Sequence, residues 1–147
     1  MIYPVNKEAL MVRESIGFGI EWVKEGVLAR SLRPGYPKKQ GIGQAEVDRW
    51  LEPIQESGIR SIICLLDDEQ LKFYDVTEGL VAYYRKKGFD VVHIPVRDHK
   101  SPALSPEESR GVLEAFRGLP KPVLVHCSAG RDRTGAAVRF LSKESAI

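Results

Sequence analysis

Ile59 to Leu66 contains the run IICLL from Ile62, apolar without alternation, and Phe89 to Val96 (FDVVHIPV) and Pro122 to His126 (PVLVH) are two further apolar-rich stretches. Short unalternating runs of this kind predict strands covered on both faces. Between them the spacing becomes helical. Val47, Trp50, Leu51 and Ile54 share one face of a helix that starts at Gln44 and ends at Gly58, with Pro53 expected to kink it or end it early. Val76, Leu80, Val81 and Tyr84 form a second stripe, closed by Gly88. Ser105 stands before Pro106, Glu107 and Glu108, which supplies an N-cap, a proline at the first helical position and a capping-box glutamate. The helix begun there carries Val112, Leu113 and Phe116 inward and stops near Gly118. A final helix is expected from about Thr134 to Lys143. Ahead of all this, Gly17 to Arg30 reads as a hairpin turning at Lys24-Glu25-Gly26, and Arg33 to Pro37 as a loop.

Strand, helix, strand, helix, strand, loop, helix is the order of an α/β fold with a central, mainly parallel sheet and helices on both faces. Ligands of such sheets sit beyond the carboxyl ends of the strands. Chemistry is therefore expected just after PVLVH, where Cys127 falls.

Composition narrows the picture without redirecting it. The 147 residues suit one domain spanning 1–147, and 43% apolar side chains are enough for one core. Twenty-two basic and 20 acidic residues leave a net charge of +2 with no charged arm, so neither nucleic acid nor a membrane surface is the expected partner. The opening MIYPVNKEAL lacks the pattern of a secretion signal, and no apolar run is long enough to span a bilayer. A cytoplasmic protein is the expectation. Cys64 and Cys127 are too far apart for a CxxC motif, no metal-ligand cluster is apparent, and no cofactor is expected.

The segment from His126 reads His-Cys-Ser-Ala-Gly-Arg-Asp-Arg-Thr-Gly. To hold a phosphate monoester, a loop needs several backbone N–H groups directed at one point, which the small residues Ser128, Ala129 and Gly130 permit, with Arg131 and Asp132 completing the turn. A following helix adds its positive end. Arg133, six positions after Cys127, can present a planar fork to two phosphate oxygens. The same positive field favours the thiolate of Cys127, a nucleophile that would form a phosphocysteine intermediate for water to hydrolyse. Thr134 is placed to donate its hydroxyl to the departing sulfur, and His126 to order the loop backbone. A buried structural cysteine beside a surface arginine is the competing reading. The joint spacing of His126, Cys127, Gly130, Arg133, Thr134 and Gly135 weighs against it, with a chance occurrence on the order of one in a million.

HCSAGRDRTG resembles the signature loop of the protein tyrosine phosphatase superfamily, and the spacing elsewhere is similar to its small dual-specificity-like members. LARSLRP, GIRSIICLL and HIPVRDHKSP also resemble family segments, so the likeness runs from about Leu28 to the end. It implies hydrolysis of phosphotyrosine, with some phosphoserine or phosphothreonine, on protein. Lipid-directed relatives share a basic residue and an aspartate in this loop, so Arg131 and Asp132 keep phosphoinositides or inositol phosphates open as substrates. A phosphate-binding module without turnover is the third reading.

The leaving oxygen needs a proton, and Asp98, in VRDHKSP after a buried strand and 29 residues before Cys127, matches the family's acid loop. Asp132 is the alternative acid. His99 is expected to hydrogen-bond within its loop, His93 and Cys64 to pack in the core, and Arg30 and Arg33 to be solvated loop arginines, with reach toward the substrate as their second reading. The chain stops 14 residues after Arg133, earlier than relatives usually do. A small version whose core is completed by a second copy, giving a homodimer, and a shortened chain are both compatible with that.

Overall fold

The runs ending at Leu66 and His126 take the interior of a six-stranded sheet because their odd and even side chains have separate cores to enter, whereas the run from Phe89 to Val96, expected to be covered on both faces, forms an edge strand in which Val91 alone is buried. The computed structural model describes residues 15–17 and 19–147, with side chains from Gly19 onward, so the opening residues used to judge secretion lie outside it. The hairpin supplies β1 (Ser15–Gly17), β2 (Ile20–Lys24) and β3 (Leu28–Ser31), and the apolar runs supply β5 (Ser61–Cys64), β7 (Asp90–His93) and β8 (Val123–His126). Their order across the sheet is β1-β2-β3-β8-β5-β7. The hairpin strands pair antiparallel, whereas β3, β8, β5 and β7 run parallel. The expected mainly parallel sheet is thus present, with an antiparallel edge.

Ile62, Cys64 and Leu124 point to one face, where α1 (Gln44–Glu56) and α3 (Leu80–Lys86) cover them. Ile63, Leu65, Val123 and Val125 point to the other, under α4 (Pro106–Gly118) and α5 (Asp132–Lys143). All seven of these strand and strand-end side chains are fully buried, which is why Ile62 to Leu66 and Val123 to Val125 hold no charged or strongly polar side chain.

Local signals set most boundaries. Ser105 accepts from the Glu108 amide while Glu108 reaches back to the Ser105 amide, completing the expected capping box. Pro53 does not end α1: only the last turn lies beyond it, and the Ser57 amide and hydroxyl both donate to the Pro53 carbonyl. The second stripe starts later than its spacing suggested. Val76 is buried but precedes the helix, because Gly79 adopts φ 87° immediately before Leu80. Two features were not foreseen: a parallel pair of β4 (Ile42–Gly43) with β6 (Tyr74–Asp75), and the four-residue α2 (Asp68–Leu71).

The short carboxyl end does not strip the core. Ala146 and Ile147 pack on the α4–α5 side, and among the described residues the one large apolar side chain on the surface is Tyr36. Ile63 sits between β7 and β8 at the centre of that core. Ile63→Ala is expected to cost about 2–5 kcal/mol in urea unfolding, and a loss below about 1 kcal/mol would contradict the packing described.

Candidate active site

Four parallel strands deliver their carboxyl ends to one place: Ser31, Cys64, His93 and His126 are each followed by a loop, and these loops meet over the amino end of α5. That helix begins at Asp132, two residues before the expected Thr134, so Arg133 lies in its first turn. Side chains on a helix lean toward its amino end, and Arg133 therefore reaches back over the loop that starts at Cys127.

Arg133 is 1% exposed. Its Nη1 donates to the Leu65 carbonyl at 3.1 Å, the Val96 carbonyl at 2.8 Å and Gln70 Oε1 at 2.9 Å, joining the loops after β5 and β7. Nη2 lies 3.0 Å from Asp98 Oδ2, an ion pair by distance whose angle falls short of a hydrogen bond. Nε and Nη2 have no hydrogen-bond partner among the described residues. A buried guanidinium is thus hydrogen-bonded through one nitrogen, while the Nε–Nη2 edge, the edge that matches two oxygens of a tetrahedral anion, is engaged only by the Asp98 carboxyl at Nη2. Among the described residues, the backbone N–H groups of 128–133 likewise make no hydrogen bond to a backbone carbonyl.

Asp98 is brought to that arginine. Oδ2 accepts from Gln70 Nε2 at 3.1 Å, and Oδ1 accepts from the His99 amide at 2.9 Å, with His99 in a left-handed conformation at φ 59°. The His99 ring is exposed, 3.6 Å from Asp98 Oδ2. Asp132, the alternative acid, is exposed in the first turn of α5, beside exposed Arg131.

The loop itself is braced from behind. Gly130 (φ +76°) lies against β3 so closely that a Cβ would come 2.7 Å from the Leu32 nitrogen and 2.8 Å from the Ser31 carbonyl. Arg30 Nη2 donates to the Gly130 carbonyl at 2.9 Å. Arg33 is not a solvated arginine: it is 1% exposed, with Nε donating to Ser128 Oγ at 2.9 Å and its amide to the Ser128 carbonyl at 2.9 Å. Its guanidinium stacks on Phe73 and Tyr36, at 4.8 and 5.3 Å from the ring centres. The polar look of SLRPGY concealed this, since aromatic faces rather than a carboxylate cover the charge.

His126 is fully buried between Trp50 and Tyr84. Burial lowers its pKa to about 4, so the ring is neutral. The Cys127 carbonyl, 3.0 Å from Nδ1, can only accept, which puts the ring proton on Nδ1 and leaves Nε2 to accept from the Tyr84 hydroxyl at 3.0 Å. The ring thereby hydrogen-bonds the backbone of the cysteine. Cys127 and Ser128 are buried, Ala129 is half-buried, and Thr134 is buried with a hydroxyl lacking any partner among the described residues. Cys64 is a core residue whose thiol burial pushes up to about 12, and His93 hydrogen-bonds the Leu66 carbonyl at 2.7 Å. Gln70 is the residue that sequence reasoning overlooked. Its signal was the capping-box spacing Asp67-x-x-Gln70, which also predicts α2.

Residues 38–142 match a family model described as "Polymorphic toxin system, DSP-PTPase phosphatase". The chain belongs to that family. The resemblance expected from the loop is therefore borne out, and the chain is a phosphatase domain of the dual-specificity type. Its fold is similar to a crystal structure of Tk-PTP in the active form, with a TM-score of 0.60 and 21% identity over 88% of this chain and 76% of that one. Among curated proteins, none matches in sequence. Among the described residues of this DSP-PTPase domain, no helix is long and apolar enough to cross a membrane.

Two outcomes follow from the bracing of the loop. Gly130→Ala is expected to destabilise the domain by more than the roughly 1–2 kcal/mol of a left-handed alanine alone, because the new methyl meets backbone; urea unfolding tests this. His126 binds a proton more readily unfolded (ordinary value 6.5) than folded (about 4), so its contribution is complete above pH 6.5 and lost as pH falls toward 4. The loss is on the order of 3 kcal/mol. Unfolding free energies from pH 7 to 4 should fall more steeply for the parent than for His126→Asn, and parallel curves would contradict the neutral, buried ring.

Proposed function

We infer that this phosphatase works through a phosphocysteine on Cys127 and that its substrates are phosphorylated proteins, chiefly phosphotyrosine with some phosphoserine or phosphothreonine. The observation that carries the reading is the Nε–Nη2 edge of buried Arg133 at the head of the cysteine loop, which makes no hydrogen bond among the described residues and has the Asp98 carboxyl against Nη2. In this account the edge takes two phosphate oxygens, and the amides of Ser128 through Arg133 take the rest.

The Cys127 sulfur attacks phosphorus, the bond from phosphorus to the ester oxygen breaks, and Asp98 gives its proton to the leaving oxygen. Water then attacks phosphorus, Asp98 takes up a proton from it, and the sulfur leaves as a thiolate with the Thr134 hydroxyl donating to it. Inorganic phosphate departs. His126 holds the loop backbone throughout, and no metal enters the scheme.

A second reading keeps the chemistry and changes the substrate. Exposed Arg131, with Arg30 held on the Gly130 carbonyl, adds positive charge around the loop that suits a phosphoinositide or inositol phosphate. Under that reading Asp132 becomes the alternative acid.

A panel of phosphotyrosine peptides, phosphoinositides and soluble inositol phosphates, assayed from pH 5 to 8, separates these possibilities. Cys127→Ser is expected to lose roughly three orders of magnitude or more in rate. Asp98→Asn should lose roughly 100-fold and abolish the alkaline fall in rate, with Asp132→Asn keeping it. Parental turnover by Cys127→Ser would overturn the mechanism. An alkaline limb that vanishes only in Asp132→Asn would move the acid, and preference for the inositol substrates would move the substrate class.

A further inference from the structure

Gln70 stands where a pure donor and an acceptor meet. Its side chain is 9% exposed, anchored at the start of α2 by the capping box with Asp67. Oε1 accepts from Arg133 Nη1 at 2.9 Å and from the Asp67 amide at 3.2 Å, while Nε2 donates to Asp98 Oδ2 at 3.1 Å. The amide orientation follows from its partners. The Arg133 guanidinium and the Asp67 N–H can only donate, so the reversed amide would set donor against donor.

We propose that Gln70 is a positioning residue of the reaction, holding the Asp98 carboxyl and the Arg133 guanidinium in register so that the proton donor and the phosphate fork face the same ester. This rests on the assignment of Asp98 as the acid. A primary amide carries both the acceptor that Arg133 needs and the donor that Asp98 needs. Glutamate repels Asp98, a cation repels Arg133, and an aliphatic chain leaves buried Arg133 Nη1 and half-buried Asp98 Oδ2 each one partner short. By engaging Nη1 together with the Leu65 and Val96 carbonyls, Gln70 also determines which edge of Arg133 is left for the substrate. The groups that face Asp98 are Arg133 from α5, Gln70 from α2 and the neighbouring His99.

Gln70→Glu makes the sharpest test. It keeps the side-chain length, the capping box and the contact to Arg133, and so is expected to melt like the parent, but it sets one carboxylate against another. Two readouts are needed: the pH dependence of kcat, and direct NMR titration of the Asp98 carboxyl carbon. In Gln70→Glu both the Asp98 titration and the alkaline limb of kcat should move to higher pH by about one unit or more, as for two carboxylates sharing a site. Gln70→Leu should lower kcat at least tenfold and weaken tungstate binding. The Gln70→Glu, Asp98→Asn double variant should show no limb to shift. An Asp98 carboxyl that titrates at the same pH in parent and Gln70→Glu overturns the inference, as does a Gln70→Leu enzyme with parental kcat. An alkaline limb that survives in Asp98→Asn overturns instead the acid assignment beneath it, so the two failures are told apart.

Discussion

The site depends on one buried guanidinium. Arg133 leaves helix α5 in its first turn and donates through Nη1 to two backbone carbonyls and an amide oxygen from the loops after β5 and β7. Burying a charge is costly unless hydrogen bonds and an opposite charge offset it, and here Asp98 provides that charge at 3.0 Å. The same contacts that offset the cost assemble the site. Three segments distant in sequence, around Leu65, around Val96 to Asp98 and around Arg133, are held to one another by a residue whose remaining edge is suited to an oxyanion.

A second buried arginine reinforces this arrangement from the other side. Arg33 sits against Phe73 and Tyr36, among the described residues without a carboxylate partner, and bonds the Ser128 hydroxyl, so the loop lies between two buried guanidiniums, with Asp98 paired to one of them. Neutral His126 adds no further charge and instead ties the Cys127 carbonyl to Tyr84. Such a site is built to receive negative charge, which fits a family of phosphatases.

Much of this was readable from residue order, and the reasons are local. The apolar runs of β5 and β8 do not alternate because alternate residues enter two separate cores, and Ser105-Pro106-x-Glu108 marks its helix start through a self-contained capping box. The position of Cys127 after a buried parallel strand carried the site with it. What could not be read depended on partners distant in sequence. Arg33 looked solvated because its cover is aromatic and comes from Phe73 as well as nearby Tyr36. Gln70 looked like an ordinary polar residue because its partners lie 28 and 63 positions away. Helix α3 began later than its stripe because a single glycine at φ 87° overrode the spacing.

The central claim is that the Nε–Nη2 edge of Arg133 and the amides after Cys127 together hold a tetrahedral oxyanion. The most direct measurement is a crystal structure of the protein soaked in tungstate. The account predicts a tungstate with two oxygens on Nε and Nη2 of Arg133 and its centre in line with the Cys127 sulfur. A tungstate bound elsewhere, or one that leaves Arg133 Nε unpaired, would contradict it.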